Sequence, residues 1–482
     1  MIAAPPERPA PPAVRLAANA ALIVAGALLA AWLWSRYCRF PSIPWNDMRL
    51  APTIALAQGW PAYPTANAGT INTWMYGPLP LLFHWPATWA STAAGALLVA
   101  GALNLALTLV PLALVCFAWP AADPARDSRA ARAVAFVLAL AIWPELHYSL
   151  IFSDNLAVAC GLIGQLLLIR AGNRRLFLWL AAFTGVASIG CKQIALGIPV
   201  AQIAWIAATA GGRAAGRHVL RCALAGAGLG LGFVFLFGWE GLWFTMAQTP
   251  GKFGWALDPA GRLAQAAWPL AIHVGLPLVA MLSAWRIFTR STLLLPALSW
   301  LCTLPLGLAG LMKLGGWMNS MHGFVLWLPA VLVTLLTAPW PDRRLKILAF
   351  TGALAATAIT AGRLLNERDL PFRPKVEDYA EAARIAARFP RAIWFPVHPL
   401  VTLYSDHRYY HDEDGLYVRL MGKNWPSNEH AAAQLPPAMR AMAFRSDWTD
   451  WGIARRMLPP GSPAIPSGNW IVHSGTAEAP KP

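Results

Sequence analysis

Charged side chains are scarce in this sequence. Asp, Glu, Lys and Arg make up only 12% of the 482 residues, while 57% of the residues are hydrophobic. A soluble domain carries about 25% charged residues. Depletion of this size means that most of the surface faces something other than water. Repeated apolar runs of about twenty residues therefore indicate membrane-spanning helices rather than a buried core.

Cysteine motifs are also missing. The six cysteines show no CxxC spacing, and most of them lie inside apolar runs. The histidines and acids between His398 and Asp414 fit no standard zinc spacing either. These absences exclude a disulfide framework and a cysteine-based metal site, and we predict no metal ligands.

The excess of basic residues comes without any nucleic-acid motif. The formal net charge is +16, but the Lys and Arg residues are spread over short loops between apolar runs. A membrane protein carries basic residues in such loops in any case. We therefore expect no nucleic-acid partner. An internal repeat is absent as well, which gives no support to an inverted-repeat transporter.

Eleven apolar runs have the length and composition of membrane-spanning helices. Residues 176–210 contain a single charge, Lys192, and we expect the helix to break there. The predicted spans are 16–35, 92–118, 133–152, 156–170, 176–191, 193–210, 219–239, 266–285, 291–312, 321–339 and 346–364.

The loops between these spans predict the orientation of the chain. If the N-terminus is cytoplasmic, the cytoplasmic segments hold sixteen Lys and Arg residues and the outside loops hold seven. Cytoplasmic loops carry an excess of such residues. We therefore predict a cytoplasmic N-terminus and, because the number of spans is odd, a C-terminal segment outside.

The sequence divides into three parts. Residues 1–15 are predicted to be disordered and cytoplasmic, and residues 16–364 form the transmembrane domain, with a first outside loop at 36–91. Residues 365–482 hold thirteen of the 22 acidic residues and read as a separate outside domain. The predicted fold is an all-α polytopic membrane protein with about 11 helices and a small C-terminal α/β domain.

Local patterns predict the elements of the C-terminal domain. An amphipathic run predicts a helix at 376–389. Short β-prone runs predict strands at 392–397, 400–404, 416–421 and 470–472.

Few acids lie within or beside the outer half of the membrane region, so each one is a candidate for function. Asp47 could act as a general base, or it could pair with Arg49 or cap a helix. Asp154 could be functional or could be an N-cap. Glu145 needs a partner, for which Lys192 and His147 are candidates.

Two lysines, Lys192 and Lys313, lie at the outer ends of predicted spans. Such a cation can bind a lipid phosphate, or it can extend to the membrane surface. The glycines after Lys313 would let backbone N–H groups approach an anion. Arg49 is a further phosphate-binding candidate. The five tryptophans of the first outside loop read mainly as an interfacial aromatic belt.

The order of these motifs resembles the GT-C superfamily of integral membrane glycosyltransferases, near protein O-mannosyltransferases and aminoarabinose transferases. The resemblance covers about residues 16–340. The motifs that carry it are an Asp early in the first outside loop, Ala57-Gln58-Gly59, Tyr76-Gly77-Pro78-Leu79, an Asp at the second outside turn, Lys192-Gln193, and the Lys-x-Gly-Gly-x-x-Asn run of residues 313–319.

The resemblance implies a bacterial inner-membrane enzyme. Its donor would be a sugar on a polyprenyl phosphate, and an inverting transfer would deliver the sugar to an extracytoplasmic glycan, lipid or protein. Membrane lipid would surround the chain. Some relatives carry two adjacent acids where this chain has Asn46-Asp47. No cofactor is therefore predicted, and a divalent cation stays an open alternative.

The resemblance also implies roles for single residues. Asp47 matches the catalytic acid of the first loop and would be the general base. Asp154 matches a second acidic position that orients the acceptor or assists a metal. The residues implied to bind the lipid phosphate or the donor are Lys192, Lys313, Arg49, Asn319 and Tyr76.

Two other function classes remain open from the sequence. A flippase or transporter of lipid-linked sugars would need a charged path through the bundle, but the span interiors hold few ionisable residues. A non-catalytic partner in envelope assembly would tolerate replacement of the outside acids and would depend on residues 365–482.

Overall fold

The structure is a computed structural model that describes residues 12–271, 291–338, 358, 362, 371–447, 451–457 and 461–474. Its larger part is a bundle of helices. These are α1 (Pro12–Arg39), α2 (Pro44–Ala57), α3 (Leu79–Phe83), α4 (Ala93–Ala118), α5 (Arg129–Ile142), α6 (Glu145–Ser149), α7 (Ser153–Ala171), α8 (Arg175–Cys191), α9 (Gly197–Ala210), α10 (Gly212–Phe237), α11 (Trp239–Trp243), α12 (Thr249–Gly251), α13 (Pro259–Leu270), α14 (Ser291–Met312) and α15 (Leu328–Thr337).

Seven segments among the described residues are long and apolar enough to cross a membrane. They are Ala20–Ser42, Ala93–Ala118, Ser153–Ala171, Gln193–Ala210, Gly212–Phe237, Thr292–Met312 and Met318–Thr337, and α8 is a shorter apolar helix. The predicted count of eleven is not confirmed. Most of the predicted spans 346–364 and 266–285 lies outside the described residues.

The predicted span 133–152 is not one continuous helix. It is split into α5 and α6, and Trp143 between them is extended, with φ −58° and ψ 142°. Pro144 follows, and a proline pushes the preceding residue out of the helical region. The break predicted at Lys192 is confirmed, because α8 ends at Cys191 and Lys192 is extended.

Helix α10 shows how the bundle meets its surroundings. Its long apolar side chains point outward, with Leu231 72% exposed and Phe235 89% exposed. Exposed apolar area of this extent is stable against lipid and not against water. Inside the bundle, α7 packs along α8, and α14 packs against α9.

The C-terminal domain is a four-stranded sheet with helices. The strands are β1 (Ile393–Trp394), β2 (Ala441–Arg445), β3 (Ala464–Ser467) and β4 (Trp470–Ser474), in the order β1-β2-β4-β3. Strands β1 and β2 are parallel, and the other pairs are antiparallel. The helices are α16 (Glu377–Arg388), α17 (Pro399–Ser405), α18 (Glu413–Met421) and α19 (Asn428–Ala433).

This domain confirms part of the sequence prediction. The helix predicted at 376–389 is α16, the run at 392–397 contains β1, and the run at 470–472 lies within β4. The strands predicted at 400–404 and 416–421 are wrong, because both runs are helical. Pro399 begins α17 and Asp412 caps α18 through the Gly415 N–H, and both are helix-start signals.

The C-terminal domain and the bundle share one hydrophobic core. Leu50 and Ile54 of α2 belong to the same buried cluster as Ile385 of α16 and Val472 of β4. Polar contacts support the junction, such as the 2.5 Å bond from Arg445 Nη1 to the Ser42 carbonyl. Helix α2 therefore lies between the two parts and is buried along most of its length.

Candidate active site

A buried ion pair joins three separate segments at one end of the bundle. Lys192 Nζ lies 2.7 Å from both carboxylate oxygens of Asp154, and Asn319 Nδ2 donates to Asp154 Oδ2 at 2.8 Å. All three residues are buried. A buried charge is tolerated when it is paired and hydrogen-bonded, which is the case here.

The backbone explains why these three side chains meet. Asp154 lies in the first turn of α7, where the helix dipole favours a negative charge. Lys192 occupies the extended break after α8, and Asn319 lies in the 3₁₀ segment Met318–Leu326. Phe152 is the N-cap of α7 and Asp154 makes no cap, so the N-cap alternative for Asp154 is wrong.

A small cavity opens beside this ion pair. Its volume is about 40 Å³, and its lining includes Asp154, Lys192, Asn319, Thr303 and His322. Ligand pockets typically enclose about 300–1,000 Å³. The cavity is several times smaller than that, so a sugar or a lipid phosphate would need the surrounding segments to separate.

A second cation, Arg49, lies near the ion pair, and the aromatic ring of Tyr76 is close to both. Arg49 Cζ is 5.1 Å from the Tyr76 ring centroid and 5.0 Å from the Trp45 ring centroid. Lys192 Nζ is 5.6 Å from the same Tyr76 ring. The Tyr76 ring is therefore within cation–π distance of two cations.

Arg49 is the most distinctive group of the site. It is only 5% exposed, and among the described residues its Nε and Nη1 atoms have no hydrogen-bond partner. The negative charges of Asp414 and Asp154 act on it, but within the described part of the chain neither forms an ion pair with it. A buried guanidinium with open donors is suited to a phosphate, which it can bind through two N–H groups.

Asp47 lies on α2 with Arg49 but points elsewhere. Two positions along a helix do not share a face. The Asp47 carboxylate is fully buried, where Tyr379 donates to it at 2.6 Å and the Leu400 N–H at 2.9 Å. The alternative of an Asp47–Arg49 pair is therefore wrong. The geometry also argues against Asp47 as general base, because a base must reach the proton that it takes.

Comparisons with known proteins identify the fold. No protein-family model and no curated protein matches this chain. Its structure matches the crystal structure of ArnT from Cupriavidus metallidurans bound to undecaprenyl phosphate, with a TM-score of 0.53 and 11% sequence identity. The match covers 98% of this chain and 100% of that chain. The chain has a GT-C-like fold. It is an integral membrane protein.

Lys313 lies apart from the ion pair of Lys192 and Asp154. Its ammonium donates to the Pro250 carbonyl at 3.1 Å. Nearby, Arg262 Nη1 donates to the carbonyls of Leu311, Lys313 and Gly316 at 2.8–2.9 Å. Arg262 therefore binds the carbonyl end of α14 and the turn after it, whereas Lys313 binds α12. The structure thus brings Arg49, Tyr76, Lys192, Asp154 and Asn319 together and leaves Lys313 and Asp47 outside the group.

Two partner assignments from the sequence are wrong in the GT-C bundle. Glu145 pairs with Arg36 at 2.7 Å, and not with Lys192 or His147. His147 Nδ1 accepts from the Trp143 indole at 3.2 Å, and its Nε2 lies 2.7 Å from His322 Nδ1. An indole N–H is only a donor, so His147 carries its proton on Nε2 and donates it to His322.

The sequence missed the part of the site that the C-terminal domain supplies. Asp414 of α18 accepts a hydrogen bond from the Thr73 hydroxyl, and its charge acts on Arg49. Only the acidic composition of residues 412–414 could have drawn attention to it. Among the described residues, no group of three His, Cys, Asp or Glu side chains could hold a metal ion.

Proposed function

We propose that this chain is a membrane glycosyltransferase that moves a sugar from a polyprenyl-phosphate donor to an acceptor of the cell envelope. The proposal includes the orientation predicted from the loops, with the C-terminal domain outside the cytoplasm. The GT-C fold supports it, and so does the undecaprenyl phosphate bound to ArnT, the structure that this chain resembles.

The buried Arg49 is the observation that carries the proposal. Its Nε and Nη1 atoms have no acceptor among the described residues, and the Tyr76 ring lies close to both Arg49 and Lys192. Lys192 in turn lines the cavity. A lipid phosphate needs cations at membrane depth, because its charge is otherwise not compensated. Lys313, also predicted to bind the phosphate, is not needed for this arrangement.

The proposed reaction is an inverting displacement. The acceptor oxygen attacks the anomeric carbon from the side opposite the phosphate and forms the glycosidic bond. The bond from the anomeric carbon to the phosphate oxygen breaks, and its electron pair stays on the polyprenyl phosphate. Arg49 and Lys192 stabilise the charge that grows there. A carboxylate takes the acceptor proton.

The resemblance implies Asp47 as general base, and we propose Asp154 in its place. Asp154 lines the cavity, while Asp47 faces Tyr379 and Leu400. Lys192 now holds both oxygens of Asp154. An arriving phosphate competes for the same ammonium, so donor binding frees the carboxylate for the proton. Asn319 keeps Asp154 in place through its amide.

The first experiment uses the purified full-length protein in lipid. A panel of radiolabelled polyprenyl-phosphate sugars is incubated with envelope acceptors, and donor consumption is measured for the wild type, R49M, D154N and D47N. We expect the wild type to consume one donor. R49M weakens binding of polyprenyl phosphate by about tenfold to a hundredfold, the size of a lost charge-assisted hydrogen bond.

The two Asp variants separate the candidate bases. D154N binds polyprenyl phosphate at least as tightly as the wild type, because Lys192 loses a competing carboxylate, but it loses about 10²-fold or more in turnover, the usual effect of removing a general base. D47N keeps its turnover when its unfolding temperature is preserved. Loss of turnover in folded D47N alone would return the base to Asp47. A wild type that neither binds nor consumes any donor would refute the proposed function.

A further inference from the structure

Three consecutive acids at the start of α18 have three different contacts. Asp412 caps the helix, with its Oδ1 2.5 Å from the Gly415 N–H, and accepts from the Tyr409 hydroxyl at 2.6 Å. Glu413 accepts the backbone N–H groups of Trp451, Ile453 and Ala454 at 2.8–3.2 Å. Asp414 faces the first outside loop. The first two acids therefore hold the local structure, and Asp414 faces the candidate active site.

A close backbone approach fixes Asp414 at that place. The start of α18 lies against Asn72, and a Cβ added to Gly415 would be 2.8 Å from the Asn72 backbone. The Asp412 N–H donates to the Ile71 carbonyl at 3.2 Å. Glycine permits this contact. The neighbouring Thr73 hydroxyl then binds Asp414 Oδ2.

Asp414 interacts with Arg49 through its charge, but within the described residues the two side chains form no ion pair. Burial raises the pKa of the Asp414 carboxyl, and the Arg49 charge opposes this rise. In the described part of the chain, the Nε and Nη1 atoms of Arg49 have no hydrogen-bond acceptor. A carboxylate has about four acceptor positions, and the hydrogen bonds from Thr73 and Trp451 use only part of them. Both side chains therefore have hydrogen-bonding capacity left for a ligand.

Aromatic rings form the wall above this pair. Trp451 stacks on Tyr417 with ring centroids 4.3 Å apart and an angle of 7°. Trp45 and Trp451 form a T-shaped contact with ring centroids 6.4 Å apart, and Trp45 also contacts Arg49. Trp451 is 44% exposed. The Glu413 contact to its backbone holds this exposed ring beside Asp414.

We propose that Asp414 and the Tyr417–Trp451 pair of the C-terminal domain bind the sugar of the donor while Arg49 binds its phosphate. This inference rests on the proposed function. A sugar has hydroxyl donors for a carboxylate and a C–H face for an aromatic ring. The site is then shared by the helix bundle and the C-terminal domain, and sugar selection belongs to the latter.

The test separates the sugar from the phosphate. D414N and W451A are compared with the wild type in donor consumption and in inhibition by bare polyprenyl phosphate. We expect each variant to lose about tenfold to a hundredfold in kcat/KM for the donor. Inhibition by bare polyprenyl phosphate stays within about twofold, because the phosphate contacts remain. W451F keeps most of the activity.

Matched controls lie in the same chain. E377Q removes an exposed carboxylate of the C-terminal domain, and W89A removes a tryptophan that is 78% exposed. Both are expected to behave as the wild type. Unchanged kcat/KM in folded W451A overturns the inference, and so does equal weakening of donor and bare polyprenyl phosphate. If D414N does not fold, the W451A variant alone tests the inference, because Trp451 is exposed. A wild type without turnover contradicts the proposed function instead.

Discussion

Asp47 has a carboxyl group whose pKa lies close to neutral pH because the group is buried. Desolvation raises the pKa of its carboxyl from 3.8 to about 7, although hydrogen bonds from Tyr379 and Leu400 lower it in part. These two donors belong to the C-terminal domain, and Asp47 belongs to α2. The acid therefore fastens the domain to the bundle, and the strength of that attachment depends on its protonation.

The pH dependence of stability follows from this pKa. Because the folded pKa exceeds the unfolded one, the folded protein binds more protons between about pH 4 and pH 7, and stability falls as the pH rises through that window. The shift of about three units corresponds to about 4 kcal/mol at most. Between pH 5 and pH 8, we expect the Tm of D47N to fall less than the Tm of the wild type.

Thermal unfolding of both proteins in the same detergent checks this prediction. Asp412, whose pKa is also raised, to about 8, titrates in both and cancels in the comparison. Identical pH dependence of the wild type and D47N would contradict the buried attachment.

Single residues show what the sequence could predict. The order of motifs predicted a site that includes Asp154, Lys192 and Asn319, and the structure brings these three together. Partners could not be predicted, because Tyr379 lies 332 residues from Asp47 and nothing local points to it. Asp414 was missed for the same reason, since its role depends on which loop α18 contacts.

At the scale of elements, the end of α8 depends on one close contact. The Gly77 N–H donates to the Cys191 carbonyl at 3.1 Å, and Gln193 Nε2 donates to the Met75 carbonyl at 3.2 Å. A Cβ on Gly77 would overlap the Gly190 carbonyl oxygen. This contact sets the distance from Tyr76 to Lys192.

We expect Gly77→Ala to push the loop away from α8. Overpacking of this kind costs about 1–3 kcal/mol, and the displaced Tyr76 weakens the binding of polyprenyl phosphate. Gly228→Ala in α10 is the control, because open space surrounds Gly228 and the change leaves Tm and affinity unaltered. Differential scanning fluorimetry and phosphate-lipid binding measure both quantities. Wild-type behaviour of Gly77→Ala would show that the loop does not hold the site.

Helices could be predicted where the apolar pattern was long or where a charge interrupted it. The single charge of Lys192 marked a real break between α8 and α9. Short apolar runs were ambiguous, because 400–404 and 416–421 have the length of strands as well as of one or two helical turns. The helix starts Pro399 and Asp412 were the stronger signals there.

For the whole molecule, the loop charges give a testable orientation. In a variant without the six native cysteines, one cysteine replaces Glu429 of the C-terminal domain or Ala125 of the loop between α4 and α5. Both positions are exposed. We expect a membrane-impermeant maleimide to label position 429 in intact spheroplasts and position 125 only after lysis. Labelling of 125 before lysis would reverse the orientation.

The attachment of α2 to the C-terminal domain also bears on how the protein is made. Asp47 leaves the ribosome more than three hundred residues before Tyr379, and until then the carboxylate has no donor to bury against. An unpaired carboxylate favours water over an apolar core. A chain that stalls before Tyr379 therefore contains an α2 whose buried face and carboxylate are still uncovered, and only synthesis through β4 completes the core that covers it.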